Sequence, residues 1–315
     1  GGHCERVPEI TMLLADAVEK TNFGKYKDFT MSEEERYELY IAAWLHDCGK
    51  VATPPHVVDK GTKLETITDR IETVKTRFEV LRRDIEIEYL NKKINLLKSN
   101  KNGDLSLLEN EYNEKINSLR EDQIFVEKTN IGGEFMHEDD QNRIKDIGKK
   151  EWVYNGEKQS FLSEIEVRNL TIPKGTLLPE EREIINDHIV ITIDMLEKLP
   201  YPKHLRNVPE FAGGHHETLD GKGYPKGLKD EDMSTQAKMM AIADIYEALT
   251  AADRPYKEGK KLSQAMRIMG FMRDDYHIDE ELFEIFVKEG VYKLYAKKYL
   301  GKNQMDSVDE KGILK

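Results

Sequence analysis

Cysteine and proline are scarce in this sequence and basic residues are outnumbered by acidic ones, and each imbalance excludes something. Two cysteines in 315 residues, Cys4 and Cys48, cannot build a disulfide framework, which fits a reducing, cytoplasmic compartment. Only 10 prolines and 21 glycines punctuate long polar-apolar periodic segments, so a mainly helical protein is expected. Lys and Arg (48) are outnumbered by Asp and Glu (60), for a formal net charge of -12. That balance argues against a broad nucleic-acid-binding surface, while a few local cations can still hold a small phosphate ligand. No apolar run approaches the length needed to cross a bilayer, and no signal peptide is visible.

What is present is helical spacing. Val7, Ile10, Leu13, Leu14 and Ala17 recur on one face. Ser32 followed by Glu33, Glu34 and Glu35 is a capping-box signature. The helix it starts carries Tyr37, Tyr40, Ile41 and Trp44 and runs into "LHDCGK", with Gly49 placed to terminate it. Past a loop broken by Pro54, Pro55 and Gly61 comes the strongest periodic signal. Ile67, Ile71, Val74, Phe78, Leu81 and Ile85 form an a/d seam that falters near Glu88 and resumes through Leu90, Ile94 and Leu97. "KSNKNGDLS" reads as a turn, and Leu105, Leu108, Tyr112, Ile116 and Leu119 as a returning helix. Two readings of this hairpin stand side by side: a dimer-forming or signal-transmitting arm, and an insertion packed on itself.

Farther on, "EWVYNGEKQSFLS" suggests a small β-hairpin around Asn155-Gly156. In "LPEEREIINDHIVITIDMLEKL", Ile184, Ile185, His188, Ile191, Met195 and Leu199 are expected on one helix face. Ser234 is placed to cap a helix through "TQAKMMAIADIYEALTAA", ended by Arg254-Pro255. The expected division is a helical core in two parts, 1–64 and 169–300, an insertion at 65–168, and a loose tail at 301–315. The abrupt opening "GGHCERVPEI" reads as a fragment with a sensory or membrane-anchored part upstream, or as an expression scar at Gly1-Gly2.

Chemistry-bearing residues sit at unusual places. His46-Asp47 closes an otherwise apolar helix, and His188 lies on an apolar face where an unpartnered imidazole is costly. His215 and His216 adjoin each other before the glycine-rich loop "TLDGKGYPKG". Asp244, inside "MMAIADIYEAL", needs a cation or strong donors. Singly, each has an ordinary explanation, such as a hydrogen-bonded core histidine or a carboxylate paired with arginine. Together they are satisfied at once by a shared metal centre, and imidazoles with carboxylates suit Fe, Mn or Zn rather than calcium.

"HDCGK", the isolated His188, "HHETLDGKGYP" and "AIADIYEALTAADRPYK" together resemble the HD-GYP family, a branch of the HD-domain metal-dependent phosphohydrolases. The likeness covers about residues 1–55 and 170–270, with the motifs in the family's order. It implies an all-α HD-domain bundle, here carrying a long helical-hairpin insertion. It implies a two- or three-metal centre, iron or manganese first, with zinc, nickel or magnesium as alternatives. It also implies a signalling hydrolase that opens cyclic di-GMP to a linear dinucleotide, and onward to GMP, by attack of a metal-bridging hydroxide. Residue by residue, His46 and Asp47 would be the signature pair, with Asp47 bridging two metals. His188, His215 and His216 would ligate one metal, and His3 and Asp244 would complete the other side. Lys50 would face the scissile phosphate, and Arg254 and Lys257 would hold ligand phosphates. Tyr224 belongs to the GYP loop and is counted with the substrate-binding residues. The glutamate that three-metal members carry four positions before the first histidine falls before residue 1, which leaves a third metal open.

The expected partners are a cyclic dinucleotide, a second copy through the insertion, and a signalling protein at the GYP loop. A guanine-adenine cyclic dinucleotide is the alternative substrate, and a non-catalytic nucleotide-binding or interaction module the alternative class. His56 is a weaker pocket candidate. His137, His204 and His277 read as ordinary surface or helix-edge residues, and Cys48 as a small packing side chain. Glu217 has two readings, orienting a ligand histidine or facing the loop.

Overall fold

The structure is a computed structural model that describes residues 2–98, 105–133, 135–252 and 259–315. Among these residues it is all-α apart from one two-stranded ribbon. The chain opens with α1 (Gly2–Lys20) and α2 (Glu33–Leu45), then a 3-10 turn at Cys48–Ala52. Next come α3 (Pro55–Val58), the long helices α4 (Ile71–Lys98) and α5 (Leu105–Asn130), and α6 (Glu138–Gly148). Strands β1 (Glu151–Tyr154) and β2 (Glu157–Ser160) lead to α7 (Glu164–Leu170), α8 (Pro179–Asn186), α9 (His188–Glu197) and α10 (Val208–Gly213). The C-terminal part holds α11 (Thr235–Thr250), α12 (Leu262–Asp274), α13 (Glu280–Lys288), α14 (Val291–Tyr299) and α15 (Glu310–Ile313). Two compact units result, one from Gly1–Pro54 with Glu183–Lys315 and one from Pro55–Arg182, which extends past 65–168 at both ends.

In the first unit α1 packs against α2, α11, α13 and α14, while α10 packs on α2, α9 and α11. Val7, Ile10 and Leu14 of α1 are fully buried against Met239, Ile242 and Tyr246 of α11. Burial of such side chains contributes roughly 1.5–3 kcal/mol each, enough to fix which helix faces meet. The caps are those the sequence signals: Ser32 and Glu35 form the full capping box of α2, and Ser234 accepts from Ala237 N on α11. Two readings change. The segment 178–199 breaks at Asp187 into α8 and α9, and the face that packs inward is Ile189, Thr192, Ile193 and Leu196. Ile184, Met195 and Leu199 are exposed, because "HIVITIDML" is apolar on several faces and tertiary packing selects among them. Residues 301–315, where the sequence suggests a loose tail, are docked. Gln304 is buried and donates to the carbonyls of Thr250 (2.8 Å) and Lys260 (3.1 Å), and Ile313 and Leu314 pack on the core.

The second unit has its own core, in which Val74 and Phe78 of α4 meet Leu119 and Val126 of α5 with Ile144, Phe161 and Leu170. Ile67, the expected start of the seam, precedes α4 and is 90% exposed. The β-ribbon pairs Glu151 with Ser160 through Tyr154 with Glu157, and positive φ at Asn155 (51°) and Gly156 (82°) makes the tight turn that Asn-Gly favours. Lys63 is buried there, donating to the carbonyls of Leu170 (2.9 Å) and Ile172 (2.8 Å). Burial lowers its pKa to about 8. Between that value and the unfolded lysine value near 10.4, the unfolded chain holds a proton that the folded chain has lost. Stability therefore rises with pH across this window, by at most about 1.4 kcal/mol per pH unit. Chemical denaturation of wild type and Lys63→Met between pH 7 and 10 should show wild type gaining on the variant as pH rises. A constant difference would refute the lowered pKa.

Candidate metal centre

Seven side chains from five segments of the first unit converge. His3 comes from the first turn of α1, His46 and Asp47 from the end of α2, and His188 from the first position of α9. His215 and His216 follow the C-terminus of α10, and Asp244 lies in the middle of α11. His46, Asp47, His188 and His215 are all buried. Three groups, each with ligand atoms within 4.8 Å of one another, are His188–His215–His216, His3–His46–Asp244 and His46–Asp47–His215.

The local sequence explains how the imidazoles are aimed. His46, His188 and His215 each place Nδ1 on the backbone carbonyl three residues earlier, at Ala43 (2.7 Å), Ile185 and Ala212 (2.6 Å). A carbonyl only accepts, so each Nδ1 carries the proton and each Nε2 presents a lone pair to the interior. His188 Nε2, His215 Nε2 and Asp47 Oδ1 are buried without a hydrogen-bond partner. Unpaired acceptors at such depth are costly, and a metal ion is the partner that suits them.

Asp47 faces both sides of the cluster. Its Oδ1 lies 3.2 Å from His188 Nε2, while Oδ2 lies 3.1 Å from His3 Nε2, 3.5 Å from His46 Nε2 and 2.5 Å from Lys50 Nζ. His3 Nε2 is also 3.2 Å from Asp244 Oδ1. Burial by itself would lower the His3 pKa, but hydrogen bonds to Asp244, Asp47 and Glu247 lift it to about 11. Burial likewise opposes ionisation of Asp47 and Asp244, yet their histidine neighbours hold both carboxyls well below the usual range. Desolvation pushes His216 down to about 4 and His215 well below the ordinary histidine value. The neutral imidazoles of His215 and His216, beside the ionised carboxylates of Asp47 and Asp244, form a donor set that fits divalent cations.

Glu247 was not singled out from the sequence. It is fully buried, accepts from His3 Nδ1, and is held by Arg6 at 2.7 Å from Nε. The available signal was its spacing of three from Asp244, which puts both on one face of α11. Glu217 settles on the loop side of its two readings: its carboxylate accepts from the amides of Lys226 (2.7 Å) and Leu228 (2.9 Å). That fastens the GYP loop, and Tyr224 stacks on His216 with centroids 4.9 Å apart. Gly223 presses on the backbone of Glu217 and Thr218, where an added Cβ would lie 2.3–2.4 Å from main-chain atoms. Gly49 does not end α2, which stops at Leu45. It lets the Cys48–Ala52 turn pack directly on α9, donating from its amide to Thr192 Oγ1 at 2.9 Å. Arg254 and Lys257 lie outside the described residues. His204, His277 and Cys48 are in none of the three ligand groups, and His56 and His137 belong to the second unit.

An all-helical core holding a His-Asp pair among further histidines and an aspartate is similar to an HD domain. Residues 164–282 match the HD domain family model, a span that includes His188, His215, His216 and Asp244. The match begins at residue 164, beyond His46-Asp47, and its first part, 164–182, belongs to the second unit. With the GYP loop fastened beside His216, the chain is similar to the HD-GYP family. Similar proteins include a 3'3'-cGAMP-specific phosphodiesterase of Vibrio cholerae, 41% identical over 26% of this chain and 19% of its own length. A cyclic di-GMP phosphodiesterase of Pseudomonas aeruginosa is 45% identical over 26% of this chain and 19% of its length. Another of Thermotoga maritima is 34% identical over 38% of this chain and 32% of its length. The matched part thus spans less than a third of each of these relatives. Among the described residues no helix is long and apolar enough to cross a membrane.

Proposed function

We propose that this chain is a metal-dependent phosphodiesterase that opens cyclic di-GMP to a linear dinucleotide. The observation that carries the reading is the convergence of bare imidazole nitrogens on a carboxylate whose two oxygens face opposite halves of the cluster. His188, His215 and His216 would hold one metal and His3, His46 and Asp244 the other, with Asp47 shared; iron and manganese are the first candidates. Bound there, the metals would supply Lewis acidity toward phosphoryl oxygens and acidify water to a nucleophile at neutral pH.

The chain's own residues supply the rest. The carbonyl-anchored imidazoles keep one tautomer, so the site needs no rearrangement to bind. Lys50 is 37% exposed at its side chain and paired with Asp47, which sets a positive charge at the rim for a phosphate oxygen. Tyr224, on a loop fixed by Glu217, forms a wall beside His216 against which a base or ribose can rest. Arg254 and Lys257 are proposed as further phosphate-holding cations.

The guanine-adenine cyclic dinucleotides are the second reading, favoured by the relatives whose printed names specify 3'3'-cGAMP. Metal analysis of purified protein, followed by chromatography of products from cyclic di-GMP, 3'3'-cGAMP and cyclic di-AMP, tests both. Linear dinucleotide from cyclic di-GMP at the highest kcat/KM is the expected result. Preference for 3'3'-cGAMP would transfer the assignment, and bound metal with no turnover of any of them would make the chain a binding module.

A further inference from the structure

The long helix α4 changes character halfway along. Up to Ile85 its apolar seam packs inside the second unit. Beyond Ile85 the side toward α5 is polar and aromatic: Glu88 meets Lys115 at 3.1 Å, Lys92 lies 3.9 Å from Glu111, and Tyr89 stacks on Tyr112 with centroids 4.6 Å apart. Ile87, Leu90, Ile94 and Leu97 point the opposite way and are 55%, 46%, 46% and 61% exposed. At about 100° per residue, these four centre on the face opposite Ile85, Glu88 and Lys92. Their spacing of three, four and three is that of a and d positions, the pattern that inserts into a facing helix with the same spacing.

We propose that this stripe is the contact between two copies of this chain, with their α4 helices antiparallel. Charge selects that occupant and that orientation. The charges that flank the stripe run from acidic to basic, with Glu86 at its start and Lys93 and Lys98 toward its end. Antiparallel copies set the acidic half of one against the basic half of the other and align Leu90 with Ile94 of its mate. Parallel copies would set like charge on like. The stripe is roughly 15 Å long, so it belongs with small interfaces and a dimer dissociating in the micromolar range.

Sedimentation velocity of the full chain from about 1 to 100 µM tests this. A dimer forming across that range is expected, and Leu90→Lys/Ile94→Lys should stay monomeric throughout while keeping wild-type helix content by circular dichroism. A wild-type monomer at 100 µM, or a dimer that survives the double substitution, would overturn the proposal. Orientation is read by oxidative cross-linking: a mixture of Leu90→Cys and Ile94→Cys chains should cross-link well above either alone. Equal or stronger cross-linking of Leu90→Cys with itself would overturn the antiparallel arrangement.

Discussion

Replacing Asp47 by alanine is expected to abolish hydrolysis and strip the protein of most of its metal. The expectation follows from where the two carboxylate oxygens lie. Oδ1 is 3.2 Å from His188 Nε2, on the side with His215 and His216, and Oδ2 is 3.1 Å from His3 Nε2, on the side with His46 and Asp244. No other side chain among the described residues offers one oxygen to each half. Alanine would remove the shared ligand and leave Lys50 without its partner at 2.5 Å. Losing one preorganised electrostatic contact typically costs about 10²–10³ in kcat. Here the proposed bridge and the Lys50 anchor go together, so a loss of at least about 10³-fold is expected. Elemental analysis should show the metal content per chain falling by more than half. Retained metal together with normal turnover would remove Asp47 from the proposed bridging role.

Gly49→Ala should be nearly as damaging, although position 49 offers no ligand. A Cβ there would sit 2.1 Å from the His188 carbonyl oxygen and 2.6 Å from Thr192 N, both main-chain atoms of α9. Backbone cannot swing aside as a side chain can, so the Cys48–Ala52 turn and α9 would have to separate. Overpacking of this kind typically costs about 1–3 kcal/mol. The same separation would pull Asp47 away from His188, since Asp47 directly precedes the turn and His188 opens α9. A lowered urea midpoint with a parallel loss of metal is expected. Wild-type stability and metal content in this variant would show that the two segments are not pressed together.

The clearest information in the sequence concerned polar residues placed where apolar ones belong. His188 and Asp244 stood out because burying them is costly without a partner, and the chain brings both to the same cluster. Caps at Ser32 and Ser234 were legible because they depend on neighbouring residues alone. The inward face of α9 was not, since an almost uniformly apolar segment allows several stripes and only the neighbouring helices choose one. The role of Gly49 depends on a segment more than a hundred residues later, and the support of His3 by Glu247 on a pairing 244 residues apart. Local patterns carry no trace of either.

That last distance has a consequence for how the protein is made. His3, His46 and Asp47 precede Pro55–Arg182 in the chain, and His188, His215, His216, Asp244 and Glu247 are added only after the whole of it. Contacts so far apart in sequence form late and slowly, because chain entropy must be lost before they offset it. A ribosome paused before α11 would therefore display a paired α1–α2 with an open, apolar flank and no complete ligand set. Until residue 250 or so has been added, the chain cannot assemble the centre that Asp244 and Glu247 close.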